Sequence, residues 1–105
     1  MTPLLYAAQN GHLNIIVYIL NHGANLNEKT ADNLSLLHLS AKGGHQCVVE
    51  YFVNQGIEIN GKDNSNWTPL LYAAINGYHN VVQFLVDHKA DLNAKNKYIV
   101  NELII

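Results

Sequence analysis

Residues 68–93 read TPLLYAAINGYHNVVQFLVDHKADLN. Thr68 is a helix-capping residue, and Pro69 stands at the first helical position, where its missing N–H would be unpaired anyway. Leu70, Ala73 and Ala74 recur at helical spacing. A tight turn follows, then a second stripe of Val81, Val82, Leu85 and Val86, then a loop whose Leu92 is expected to point back inward. Moving the window back by 33 residues lands on SLLHLSAKGGHQCVVEYFVNQGIEIN, residues 35–60. Moving it back by 33 again lands on TPLLYAAQNGHLNIIVYILNHGANLN, residues 2–27, and neither step needs a gap. A fixed period of this kind decides the architecture before any other signal.

The period divides a single domain, 1–105, into repeat 1 (2–34), repeat 2 (35–67), repeat 3 (68–100) and a partial fourth repeat or tail (101–105). At 11.7 kDa such a chain is too small for one large core. Stacked repeats remove that need, because each unit buries its apolar face on its neighbour. Within each unit the punctuation repeats. Gly11 stands where a left-handed residue ends the first helix, Gly23 and Gly56 stop the second, and Lys89 replaces that second glycine in repeat 3. Asn33 is expected in the left-handed conformation that Asn tolerates, and Leu26 is the inward anchor of the first loop. Asn101, Leu103 and Ile104 keep the register of Thr68, Leu70 and Leu71. Both ends are apolar where a solenoid needs polar caps, so a chain cut from a longer array is expected, the alternative being a three-repeat protein whose tail folds back as an improvised cap.

Composition narrows the function. The formal net charge is -2 and all six cationic residues are Lys, so there is no basic footprint for nucleic acid and no Arg fork for phosphate. No apolar run approaches the ~18 residues of a transmembrane helix, and the N-terminus lacks the basic start of a signal peptide. Cys47 is the single cysteine and excludes an internal disulfide. A soluble, intracellular and most simply cytoplasmic protein is expected, with membership of a secreted effector or toxin left open.

Nothing in the sequence assembles catalysis. The six histidines follow the repeat: His12 and His45 share a position with Tyr78, and His22 and His88 share one with Gln55. Periodic placement favours turn and packing roles, whereas a metal site needs convergence, and no H-x-x-x-H or C-x-x-C spacing occurs. No paired carboxylates or glycine-rich phosphate loop are present. Catalytic residues, cofactors and metals are all expected to be none.

TPLLYAAQNGH, SLLHLSAKGGH and TPLLYAAINGY, each followed by a valine- or isoleucine-rich helix and by GANLN, GIEIN or KADLN, resemble the ankyrin repeat. The resemblance implies an all-α solenoid of stacked helix-turn-helix units with projecting β-hairpin-like loops. Departures exist: the His of the TPLH motif survives only as His38, with Leu5 and Leu71 elsewhere, and the loop Gly is Asn33, Asn66 and Ile99. The family further implies protein binding through a concave face of loop tips and first helices. Carried over, that face comprises Gln9 and Asn10, then Ala31, Asp32, Leu34, Lys42 and Gly43. It continues through Asn64, Ser65, Trp67, Ile75 and Asn76 to Lys97, Tyr98 and Val100. Leu34, Trp67, Ile75 and Tyr98 stand out as large apolar groups expected at exposed, variable positions, with Asp32, Lys42, Ser65, Asn76 and Lys97 as polar neighbours. Local packing over the loop is the competing reading of Trp67. The resemblance also makes Asn93, with Leu85 eight residues before it, a candidate for asparaginyl hydroxylation. Loop hydrogen bonding is the competing role for Asn93 and for its equivalents Asn27 and Asn60.

A non-catalytic module that binds another protein is the expected function. The alternative is a structural spacer within a longer array, possibly the targeting part of a larger effector, toxin or enzyme. Weak self-association through the uncapped ends belongs to that alternative.

Overall fold

A computed structural model describes residues 1–93. Six helices run in three antiparallel pairs: α1 (Pro3–Asn10) with α2 (Leu13–Asn21), α3 (Leu36–Lys42) with α4 (Gln46–Asn54), and α5 (Pro69–Ile75) with α6 (His79–Asp87). The described residues contain no β-strand, only an isolated antiparallel bridge between Lys29 and Ser35. Lys97, Tyr98, Ile99, Val100 and the 101–105 segment lie outside the described residues.

Each first helix starts on a hydroxyl cap. The side chain of Thr2 accepts from the Leu5 N–H, Ser35 from His38, and Thr68 from Leu71, each at 3.2 Å. The turn into the second helix is also repeated. Gly11, Gly44 and Gly77 have φ of 75°, 73° and 76°. Only glycine enters this region without steric cost. The following N–H groups of His12, His45 and Tyr78 then reach back to the carbonyls of Ala7, Ser40 and Ala73, each at 3.0 Å. The second helices end the same way three times. Gly23, Gly56 and Lys89 are all left-handed, with φ of 98°, 90° and 72°. Lys89 takes the glycine conformation with a side chain in place, so its cap is strained as its sequence position implies. Asn33 takes the family's loop glycine position in the expected left-handed conformation, at φ 70°, and Asn66 does the same at 64°.

The core is one continuous cluster through the stack. First helices pack α1 on α3 on α5, and α4 packs on α6. Ala8 and Ala41 are wholly buried at these contacts, because a methyl group lets the helix backbones approach closely. Phe52 in the middle repeat is the largest fully buried side chain.

Two sequence expectations are corrected. Leu34 is buried in the core cluster and is not an exposed loop residue. The Leu34 N–H donates to Thr30 Oγ1 at 3.0 Å and the Thr30 N–H to the Leu34 carbonyl at 2.9 Å. That closed turn delivers the Leu34 side chain to the interior. Leu92 is 69% exposed and does not point inward. Its equivalents Leu26 and Ile59 pack partly buried against the core. Both have another repeat beside them, and Leu92 has none among the described residues.

Candidate partner-binding face

The face expected from the sequence is built on the loop 61–67 and the exposed sides of α3 and α5. Asp63 organises it. This buried carboxylate accepts from the backbone N–H groups of Ser65 and Trp67 through Oδ1, both at 2.9 Å, and from the Tyr72 hydroxyl through Oδ2. The Asp63 N–H in turn donates to the Trp67 carbonyl at 3.0 Å, closing a hairpin-like turn with left-handed Asn66 at its corner. Burial, reinforced by the bond to Asp63 and its charge, pushes the Tyr72 hydroxyl well above its ordinary pKa.

Trp67 lies half-buried on this support. Its ring stacks on Tyr72 with centroids 4.7 Å apart and planes 29° from parallel. On the Tyr72 ring, 5.4 Å from the centroid, sits Lys42 Nζ, a cation–π contact. The indole is therefore a local packing element as well as a partly open surface. Ile75 is different. It is 49% exposed, on the position held by Gln9 and Lys42 in the preceding repeats. Beside it, Asn76 Nδ2 donates to the Lys42 carbonyl at 3.2 Å and ties α5 to α3. Asp32 and Ser65 are exposed at neighbouring loop tips, joined where the Asn64 N–H donates to the Asp32 carbonyl at 3.0 Å. Of the nine singled-out residues, Asp32, Lys42, Ser65, Ile75 and Asn76 are exposed and Trp67 is half-buried, whereas Leu34 drops out. Lys97 and Tyr98 are not described.

His38 holds the loop from beneath. It is buried, and burial drives its pKa below the ordinary 6.5 against the opposing pull of the Trp67 carbonyl and the Asp63 charge. Nδ1 accepts from the Ser35 N–H at 3.1 Å, and Nε2 lies 2.8 Å from the Trp67 carbonyl. A nitrogen facing an N–H must accept and one facing a carbonyl must donate, which fixes the neutral tautomer with its proton on Nε2. His45 wedges between repeats with Nε2 2.9 Å from the Gln9 carbonyl. His22 and His88 each place Nδ1 2.8 Å from a carbonyl of their own helix, at Tyr18 and Phe84. Among the described residues no three His, Cys, Asp or Glu side chains are grouped to hold a metal ion.

Sequence reading missed Asp63, Tyr72 and Thr30. The period did carry a signal for two of them. Thr30 and Asp63 occupy one repeat position, four residues before Leu34 and Trp67, and both residue types close turns through a side-chain oxygen. Asn60 has the loop role: its Oδ1 accepts the Asp91 N–H of the next repeat at 2.8 Å.

A family model for ankyrin repeats, in three copies, matches residues 4–96. The chain belongs to the ankyrin repeat family. No curated protein matches it. The all-helical fold of stacked pairs is the ankyrin architecture, and ankyrin repeats are generally protein–protein interaction modules. His38 is the one histidine of the ankyrin TPLH motif here; at the same position Leu5 and Leu71 are also buried, as apolar filling. No helix among the described residues is long and apolar enough to cross a membrane.

Proposed function

We propose that this ankyrin domain is a non-catalytic module that binds another protein through the side bearing Lys42, Trp67, Ile75 and Asn76. The observation that carries this reading is Ile75. It is a large apolar side chain left 49% exposed where the other two repeats have Gln9 and Lys42. The core does not require it, and exposed apolar groups beside aromatic rings are what partner surfaces bury. Trp67 and Tyr72 supply rigid aromatic area next to it, while Asp32, Lys42 and Ser65 supply a polar rim. Lys97 and Tyr98 extend the same series by register.

The test is capture from a lysate of the source cells, comparing the natural chain with Ile75→Asp and Lys42→Glu. Both substituted positions are exposed, so circular dichroism should show both variants folded. A protein identified by mass spectrometry with the natural chain and lost with Ile75→Asp supports the reading. Identical capture by all three chains overturns it.

A further inference from the structure

A cavity of about 150 Å³ opens at the first junction between repeats, between the loops that follow α2 and α4. Its inner wall is formed by Leu26, Ile57 and the buried ring of His38, and its rim carries the exposed residues Lys29, Glu58 and Lys62. Both repeats that enclose it lie within the described residues, so neither end of the chain leaves it open. Gly61 keeps it hollow. A Cβ there would face Glu58 Cγ and His38 Cε1, each at 3.7 Å, and both residues belong to the cavity wall. None of the residues assigned to partner binding lines it.

The polar groups around the cavity are incompletely matched. At the following junction Asn60 Oδ1 accepts the Asp91 N–H at 2.8 Å. Asn27 and Glu58 hold the same two positions at the first junction, and both line the cavity. Their bond is not made: among the described residues neither the Asn27 side chain nor the Glu58 N–H has a hydrogen-bond partner. The charges are one-sided as well. Lys29 and Lys62 form no ion pair among the described residues, and the Lys29 charge adds to burial in holding the His38 pKa down. The Glu58 carboxylate accepts the Asn60 N–H of its own loop at 2.9 Å. Two ammonium groups against one carboxylate leave the rim positive.

We propose that this cavity binds a small organic carboxylate, an apolar body no larger than one aromatic ring bearing a single acid group. A cavity of about 150 Å³ holds a benzene-sized body, and the Leu26 and Ile57 walls give water few partners. The acid group completes the junction. Its oxygens accept from the Glu58 N–H and from Asn27 Nδ2, whose counterparts in the next repeat are bonded to each other. Lys29 and Lys62 supply the opposite charge, which strengthens hydrogen bonds to an ionised oxygen. The source is a free molecule, because the volume admits a ring and leaves no room for a peptide backbone. Its binding is separate from that of a protein on the Ile75 side, and either can fail without the other.

Amide NMR of the full 105-residue chain, titrated with benzoate to about 20 mM, tests it over a range where weak binding registers. The expected result is a saturating shift at Asn27, Ile57 and Glu58, half complete at about 1 mM or below. Benzyl alcohol keeps the ring and lacks the charge, and should bind at least about tenfold more weakly. So should acetyl-Ala-Glu-Ala-amide, which carries its carboxylate on a peptide. Gly61→Leu should abolish the shifts by filling the cavity, with circular dichroism confirming its fold. Lys29→Gln combined with Lys62→Gln changes only exposed side chains and should weaken benzoate about tenfold. A natural chain without saturating shifts at these residues overturns the proposal. So does benzyl alcohol binding as well as benzoate, a double lysine variant of unchanged affinity, or a folded Gly61→Leu that binds as before. Tighter binding of the peptide than of benzoate overturns the assignment to a free molecule.

Discussion

Nε2 of His38 lies 2.8 Å from the carbonyl oxygen of Trp67, 29 residues further along the chain. Through this contact the second repeat closes on itself, with the same imidazole accepting the Ser35 N–H that opens its first helix. A charged ring cannot serve both bonds, since a proton on Nδ1 would face that N–H.

Stability should therefore depend on pH through His38. Burial holds its folded-state pKa below the ordinary 6.5. Between those two values the unfolded chain binds more protons, so stability falls as pH falls. The contribution is complete above 6.5, declines as pH drops through it, and levels off below the depressed value. Urea titrations at several pH values should show this decline in the natural chain and a smaller one in His38→Leu. At neutral pH His38→Leu should itself cost about 1–3 kcal/mol, for the Ser35 N–H and Trp67 carbonyl left without their partner. Equal slopes in the two chains would remove His38 as the source.

Asp63→Ala should be among the more damaging polar substitutions. It strips acceptors from two backbone N–H groups and the Tyr72 hydroxyl, and a loss of about 3 kcal/mol is expected from bonds to a buried carboxylate. Thr30→Ala, at the same repeat position, removes one bond to the Leu34 N–H and should cost about 1 kcal/mol. Chemical denaturation of the two variants side by side checks the order.

Phe52→Ala should destabilise by about 3–5 kcal/mol, since the ring is wholly buried between two neighbouring repeats. Ile19→Ala, at the same position in repeat 1 but only partly buried, should lose about 2 kcal/mol. Melting shifts of equal size would contradict the stacked arrangement.

Lys89→Gly should stabilise. A left-handed φ of 72° strains a residue with a Cβ, and glycine relieves it at some entropic cost in the unfolded chain. A net gain of about 0.5–1 kcal/mol is expected, seen as a rise of a few degrees in the thermal midpoint.

The scaffold was readable because its determinants are local and repeated. Thr2, Ser35 and Thr68 announce helix starts, Gly11 a turn, and Asn33 a left-handed corner, and each does so from its own chemistry. Side-chain direction in the loops was less accessible. Leu34 reads as a variable loop residue until the Thr30 bond turns it inward, and Leu92 reads as an anchor although only a neighbouring repeat would make it one. Trp67 and Tyr72 are five residues apart on different elements, and their stacking follows from the turn that Asp63 closes. Ile75 was identified correctly as exposed because α5 has a regular face on which its position can be counted.

Among the described residues, the hydrogen bonds given between repeats join neighbours. His45 reaches Gln9, Asn64 reaches Asp32, Asn76 reaches Lys42 and Asp91 reaches Asn60, and none of these ties the first repeat to the third. Under tension applied at its two ends, the stack is accordingly a set of links in series rather than one body sharing the load. The weaker junction yields first, and each repeat that unravels pays out roughly 110 Å of chain, the extended length of 33 residues. Such a domain lengthens in discrete steps under force and can refold one step at a time against the repeat that remains.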